Sequence, residues 1–259
     1  RCERLNDIVI GGFVSVKSVL AAKSRRVERI YLDRRRYDRI MASDYQEPEK
    51  RQYRTLEQSG VPLEFLDPDR FCALAGEGEH GGIAASVGPR AFASFEDLAA
   101  IDHGFLAVLD GLEDPFNFGY ALRALYAAGV DGVLLPERNF YTASEVIIRS
   151  SAGASEHIRA CTSEDLPAAC GALRAQGYTV ACTAQCREAV DVFRFRPQRP
   201  LCLVFGGEKR GISAAIRAQA DAVVKISYLR DCHYALPACS AVSIIAFECA
   251  RRMEKGRRF

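Results

Sequence analysis

Histidine is scarce in this chain: 259 residues contain four, His80, His103, His157 and His233, and no two stand at metal-ligand spacing. That shortage argues against a metal centre. Cys-x-x-Cys pairs are missing as well, although there are ten cysteines. Only Cys182 and Cys186 lie close together, while Cys161, Cys170, Cys202, Cys239 and Cys249 sit inside apolar runs. Scattered, embedded thiols of this kind read as small hydrophobes kept reduced in a cytosol. No apolar run approaches the length of a membrane span and no signal-peptide pattern opens the sequence, so a cytoplasmic protein without a membrane partner is expected. The sequence starts at Arg1 rather than Met, so a few preceding residues are expected too. Excess charge is also lacking: with a formal net charge of +2, any contact with nucleic acid must come from a local patch. There is no internal repeat and no low-complexity stretch. A chain of this length is comfortable as two domains, each able to bury a core.

What is present is organised around Leu201 to Arg252. Leu201-Cys202-Leu203-Val204-Phe205 is a continuous apolar run, the pattern of a strand buried on both faces. It stops at Gly206-Gly207-Glu208-Lys209-Arg210-Gly211-Ile212-Ser213, whose glycines permit positive φ and close backbone approach. Ser213 suits the N-cap of a following helix. A second strand, Ala222 to Ile226, leads into a loop ending at Pro237, which fits the first turn of a helix running to about Met253. Two strands that each end in a loop opening a helix make a ligand crevice at their carboxyl ends. The glycines do not run Gly-x-Gly-x-x-Gly, and no Gly-Lys-Ser/Thr follows, so dinucleotide and phosphate-loop sites are disfavoured. On this segment alone, a glycine turn that only lets strand and helix pack is the simpler reading.

The first half alternates strand and helix signals from Asp7 to Leu66, with an extra strand at Ile83–Val87. Arg34-Arg35-Arg36, near Lys23, Arg25, Arg26 and Arg39, is either a solvated face or a basic patch. Gly88-Pro89 to Asp102 reads as a linker with a short helix from Ser94 to Ala100. The second half opens with the buried-strand run Phe105–Asp110, then a turn-rich loop containing Asn117, and a helix to Ala128 whose apolar stripe is Phe118, Ala121, Leu122 and Leu125. Arg123 lies beside that stripe. Taken alone, Asn117 could cap the helix and Arg123 could form a surface ion pair. Asp131–Leu135 and Tyr178–Cys182 read as strands, Glu164–Gln176 as a helix, and Val190–Phe195 as connecting chain.

Together these segments resemble the SpoU (TrmH-type) family of RNA 2′-O-ribose methyltransferases, in the SPOUT superfamily. Val204 to Ser213 resembles the family's second motif closely, Leu109 to Gly129 its first, and Ile226 to Glu248 its third more loosely; Ser150–Ser155 is similar to its Ser-x-Gly-Ala segment. Gly11-Gly12-Phe13 and His80-Gly81-Gly82-Ile83-Ala84 are similar to the ends of the family's small RNA-binding domain. The resemblance implies an α/β protein with an N-terminal RNA-binding domain (residues 1–88), a linker (89–103) and a C-terminal SPOUT domain (104–259) with a mostly parallel sheet and a trefoil knot. It implies S-adenosylmethionine as cofactor, bound at Phe205, Gly206, Gly207, Gly211, Ile226, Tyr228, Leu229 and Leu236. RNA, with rRNA favoured over tRNA, is the implied substrate, and a homodimer through the C-terminal domain the implied assembly. Arg123, Asn117 and Glu208 are the implied catalytic residues. A guanidinium stays protonated, so Arg123 is expected to grip the target phosphate and orient the hydroxyl. Glu208 either anchors Arg123 or Asn117, the favoured role, or takes the proton. One departure stands out: where the third motif has Ser-Leu-Asn, this chain has Ala235-Leu236-Pro237. That loss keeps open a non-catalytic RNA-binding homologue of the same fold.

Overall fold

The computed structural model describes residues 8–253 apart from 79, 113, 140, 142, 143, 208, 209 and 232. Its contacts divide the chain into two units, one from the described residues of 1–91 and 143–157, the other from those of 92–142 and 158–259.

The first unit begins with β1 (Ile8–Gly11), which turns at Gly12 into α1 (Phe13–Ala22). Gly12 has φ 92°, a conformation that costs glycine little. Then follow β2 (Val27–Asp33), α2 (Arg34–Ala42), α3 (Glu47–Glu57), β3 (Leu63–Leu66), α4 (Pro68–Ala75) and β4 (Ile83–Val87). Asp33 and Asp67 cap α2 and α4 by accepting the N–H groups of Arg36 and Arg70. The sheet runs β1-β4-β2-β3, with β2 and β3 parallel and the other pairs antiparallel. The arginine run thus forms the exposed start of α2, where the Arg34 guanidinium lies 3.9 Å from the Phe65 ring centroid.

The second unit starts with α5 (Phe95–Ala99), opened by a capping box between Ser94 and Asp97. Next come β5 (Phe105–Asp110), α6 (Pro115–Ala127) and β6 (Gly132–Pro136). The chain then leaves this unit for α7 (Ser144–Ser150) and α8 (Ala154–His157). Both pack against α1. Ile148 enters the core with Ile10, Val16, Ile30 and Val87, and Glu156 is buried between Arg25 (3.0 Å) and Arg90 (3.6 Å), with the Ser24 hydroxyl also donating to it. A buried carboxylate has to be paired in this way. Residues 143–157 therefore pack with the first unit, whereas the sequence division keeps them with the second.

The chain resumes with β7 (Arg159–Ser163), α9 (Leu166–Ala175), β8 (Thr179–Thr183), β9 (Val190–Asp191), β10 (Leu201–Gly206), α10 (Ala214–Gln219), β11 (Ala222–Lys225) and α11 (Ala238–Met253). The sheet is seven-stranded, ordered β7-β6-β5-β10-β8-β11-β9, and every pairing in it is parallel. β5 and β10 at its centre are buried along their length except for their last residues, as all-parallel strands covered on both faces must be. Cys170, Cys182 and Cys202 belong to the core against one face; burial pushes the Cys170 thiol up to about 11 and the Cys202 thiol well above its usual range. Among the described residues every cysteine is a free thiol, and no helix is long and apolar enough to cross a membrane.

Two local expectations change. Val190–Asp191, read as connecting chain, forms an edge strand beside β11, too short to leave a periodic signature. Pro237 precedes α11 rather than lying in its first turn, and its carbonyl accepts the N–H groups of Ser240 and Ala241.

Candidate active site

The carboxyl ends of β5 and β10 lie side by side, with Gly206 opposite Asp110. The loops leaving them touch backbone to backbone. A Cβ on Gly207 would lie 1.8 Å from the Gly111 carbonyl oxygen, and one on Gly206 would lie 2.4 Å from the Gly211 carbonyl carbon. Gly211, at φ 63°, donates its N–H to the Gly207 carbonyl at 2.9 Å and closes the turn. Only glycine fits at 206 and 207. Burial pushes the Asp110 carboxyl up, an effect opposed by a hydrogen bond from the Ser213 backbone. Ser213 also caps α10, accepting the Ile216 N–H. Phe205 is 2 % exposed, so it offers a ligand backbone rather than ring.

A third loop, residues 226–237, leaves the end of β11. Its departure is held by side chains from elsewhere. Gln185 Nε2 donates to the Ile226 carbonyl at 2.9 Å, and the Ser227 N–H donates to Asp191 Oδ2 at 3.2 Å. Farther along, the Leu236 N–H donates to the Tyr228 hydroxyl at 3.0 Å, bridging the loop to itself. Ile226 is buried, Tyr228 and Leu236 are half-buried, and the Leu229 side chain is fully exposed.

The third loop delivers α11 to α6. Val242, Ile245, Ala246 and Cys249 are the buried side of α11; Phe118, Ala121, Leu122 and Leu125 are that of α6. At the start of this pair the Cys239 thiol donates to Asn117 Oδ1 at 3.4 Å. Asn117 is not the helix cap, since Asp114 holds that position and accepts the Asn117 N–H at 2.7 Å. Arg123 is exposed and makes no hydrogen bond or ion pair with any described residue. It shares one stripe of α6 with Phe116 and Tyr120, which are 52 % and 48 % exposed.

The structure therefore joins Gly207 to Gly111 of the first loop, Gly206 and Gly207 to Gly211, Tyr228 to Leu236, and Asn117 to the head of α11. It brings Arg123 to none of them, and Glu208 lies outside the described residues. Reading the sequence missed Gln185, Asp191, Cys239 and Gly111. Only Gly111, at φ 90° in a turn-rich loop, carried a local signal.

Residues 104–247 match the sequence profile of the SpoU rRNA Methylase family. The chain belongs to that family. A relative assigned to the TrmH family of tRNA/rRNA methyltransferases, from Staphylococcus aureus (strain COL), is 33 % identical over 197 residues, covering 74 % of this chain and 76 % of that protein. The SpoU methyltransferase AviRb from Streptomyces viridochromogenes, solved in complex with AdoMet, superposes with a TM-score of 0.77 at 22 % identity, over 97 % of this chain and 92 % of that one. An rRNA methyltransferase from Sinorhizobium meliloti gives a TM-score of 0.75 at 16 % identity, over 95 % and 87 % of the two chains. At these identities the structural likeness is one of fold. This SpoU family member is an RNA methyltransferase whose glycine loop and third loop both fall inside the matched segment.

Proposed function

We propose that the protein transfers a methyl group from S-adenosylmethionine to a ribose 2′-OH of RNA, with rRNA favoured over tRNA. The observation that carries this reading is the glycine loop. Gly206 and Gly207 have no room for a side chain, so what they place at the sheet's carboxyl edge is bare backbone, suited to reading a nucleoside. The groups present fit the donor: backbone of Gly206, Gly207 and Gly211 and of the described residues between Ile226 and Leu236, with Ile226 itself apolar. When bound, S-adenosylmethionine supplies a methyl group on a sulfonium that departs as a neutral thioether.

The chain's own residues hold the ribose and its phosphate. Arg123 has no partner among the described residues, so its planar fork is available for a phosphate. Gripping the phosphate orients the adjacent hydroxyl and stabilises negative charge as it develops there. Asn117, steadied by the Cys239 thiol, lies where the first and third motifs meet. Glu208 is assigned the anchoring of Arg123 or Asn117. The N-terminal unit holds RNA, with the α2 arginines as its basic patch, and the protein works in the reducing cytosol. Its C-terminal segment takes the trefoil knot, and two copies pair through α6 and α11, burying Phe116 and Tyr120. A crystal structure with donor bound would contradict these last assignments if α11 were unthreaded or the protein were monomeric.

A second reading keeps a specific observation behind it: Ala235 and Pro237 supply neither the hydroxyl nor the amide expected before α11. On that reading the protein binds RNA without methylating it. Transfer by the unmodified protein separates the two, and Arg123→Ala and Arg123→Lys test the role of Arg123. The catalytic reading expects each to lower transfer by a factor of about 10² or more, with S-adenosylmethionine affinity unchanged. Wild-type rates in both variants would end the assignment of Arg123. No transfer by the unmodified protein to any cellular RNA would favour the second reading.

A further inference from the structure

Asp191 sits at the second position of the two-residue edge strand β9, opposite Lys225 at the end of β11. Its surroundings fix it firmly. Its backbone carbonyl accepts the N–H groups of Arg194 (2.8 Å) and Phe195 (2.9 Å), and its Oδ1 accepts the Phe193 N–H at 2.7 Å. The tight turn that results leaves Oδ2 directed at the third loop, where it accepts the Ser227 N–H at 3.2 Å. Hydrogen bonding from Ser227, then from the Phe193 N–H, with the Arg194 charge last, holds this carboxyl below the usual range for aspartate. On the other side of the strand end, Gln185 Nε2 holds the Ile226 carbonyl at 2.9 Å.

The place where these bonds begin matters most. The ladder from β11 to β8 ends at Val224, and that to β9 ends at Lys225. Past those points the sheet no longer dictates the backbone path. The next two residues are the ones that Gln185 and Asp191 grip. Their side chains therefore set the direction in which residues 226–236 leave the sheet, and they add nothing to the sheet's own pairing.

We propose that Asp191 is a positioning residue of the donor site, fixing through Ser227 the loop whose backbone receives S-adenosylmethionine, with Gln185 as its counterpart on Ile226. This rests on the donor assignment made above. A preorganised loop costs the ligand less ordering on binding, so the effect appears in donor affinity and leaves the reaction of bound donor alone. Asn at 191 keeps the size of the side chain but loses the charge and turns either a weaker acceptor or an N–H₂ toward Ser227.

The test is calorimetric titration of S-adenosylmethionine into the full-length wild type, Asp191→Asn, Gln185→Ala and Ser227→Ala, with steady-state kinetics and thermal melts of each. Asp191→Asn is expected to bind the donor about tenfold more weakly, the scale of a lost charge-assisted hydrogen bond. Its KM for the donor should rise in step, while kcat at saturating donor and KM for RNA stay within about twofold. Gln185→Ala and Ser227→Ala should show the same pattern at about two- to fivefold. Donor affinity equal to wild type in Asp191→Asn would overturn the inference, as would equal losses in kcat and both KM values. Should Asp191→Asn fail to fold, Gln185→Ala decides: weakened donor binding supports the proposal, and unchanged binding overturns it. A wild type that binds no S-adenosylmethionine would overturn the donor assignment itself, and this inference with it.

Discussion

Two loops of the second unit are built on opposite plans. The glycine loop is held by steric exclusion: Gly207 presses on Gly111 and Gly206 on Gly211 so closely that no Cβ fits at 206 or 207. The third loop is held by single hydrogen bonds, one donated by Gln185 and two accepted by Asp191 and Tyr228. The first shape is a property of the backbone, and any larger residue destroys it. The second depends on side chains, each worth about 1 kcal/mol or a little more when charge is involved. One loop is rigid by construction; the other can be loosened one bond at a time.

Substitution should break the two loops very differently. Gly207→Ala is the most damaging, because a Cβ 1.8 Å from the Gly111 oxygen meets backbone that cannot swing aside and must push the ends of β5 and β10 apart. We expect a loss of about 3 kcal/mol or more, read as a lowered thermal midpoint, together with loss of donor binding. A Gly207→Ala protein that melts and binds like wild type would refute the steric account. Tyr228→Phe should do far less. It removes the acceptor for the half-buried Leu236 N–H, which water can partly replace. A cost of about 0.5–1.5 kcal/mol is expected in donor binding by calorimetry, with the melting curve nearly unchanged. A fall in stability as large as that of Gly207→Ala would erase the distinction between the loops.

The same contrast explains what the sequence made legible. Gly206 and Gly207 announce themselves because steric demand leaves only one residue type possible, Gly211 because its positive φ favours glycine, and an apolar strand run leads straight into them. Arg123 was placed by register with a motif, and the structure agrees that it lies off the apolar stripe of α6. Asp191 was missed because a two-residue edge strand carries no periodicity and its partner, Ser227, is 36 residues away. Cys239 was passed over as one more buried thiol; its bond to Asn117 spans 122 residues. Membership of residues 143–157 in the first unit was hidden for the same reason. Glu156 and Arg25 are 131 residues apart, and nothing local marks a glutamate as buried.

The proposed reaction is methylation of ribose in spite of the Ala-Leu-Pro segment before α11. A methylated 2′-oxygen cannot attack the neighbouring phosphodiester, so the modified linkage resists alkaline hydrolysis, whereas a methylated base leaves it cleavable. The direct measurement is incubation of the purified protein with methyl-labelled S-adenosylmethionine and total rRNA and tRNA, followed by alkaline hydrolysis and separation of mono- and dinucleotides. We predict label in an alkali-resistant dinucleotide from one position, with rRNA the labelled pool. Label recovered only in mononucleotides, or none in either pool while the donor binds, would contradict the claim.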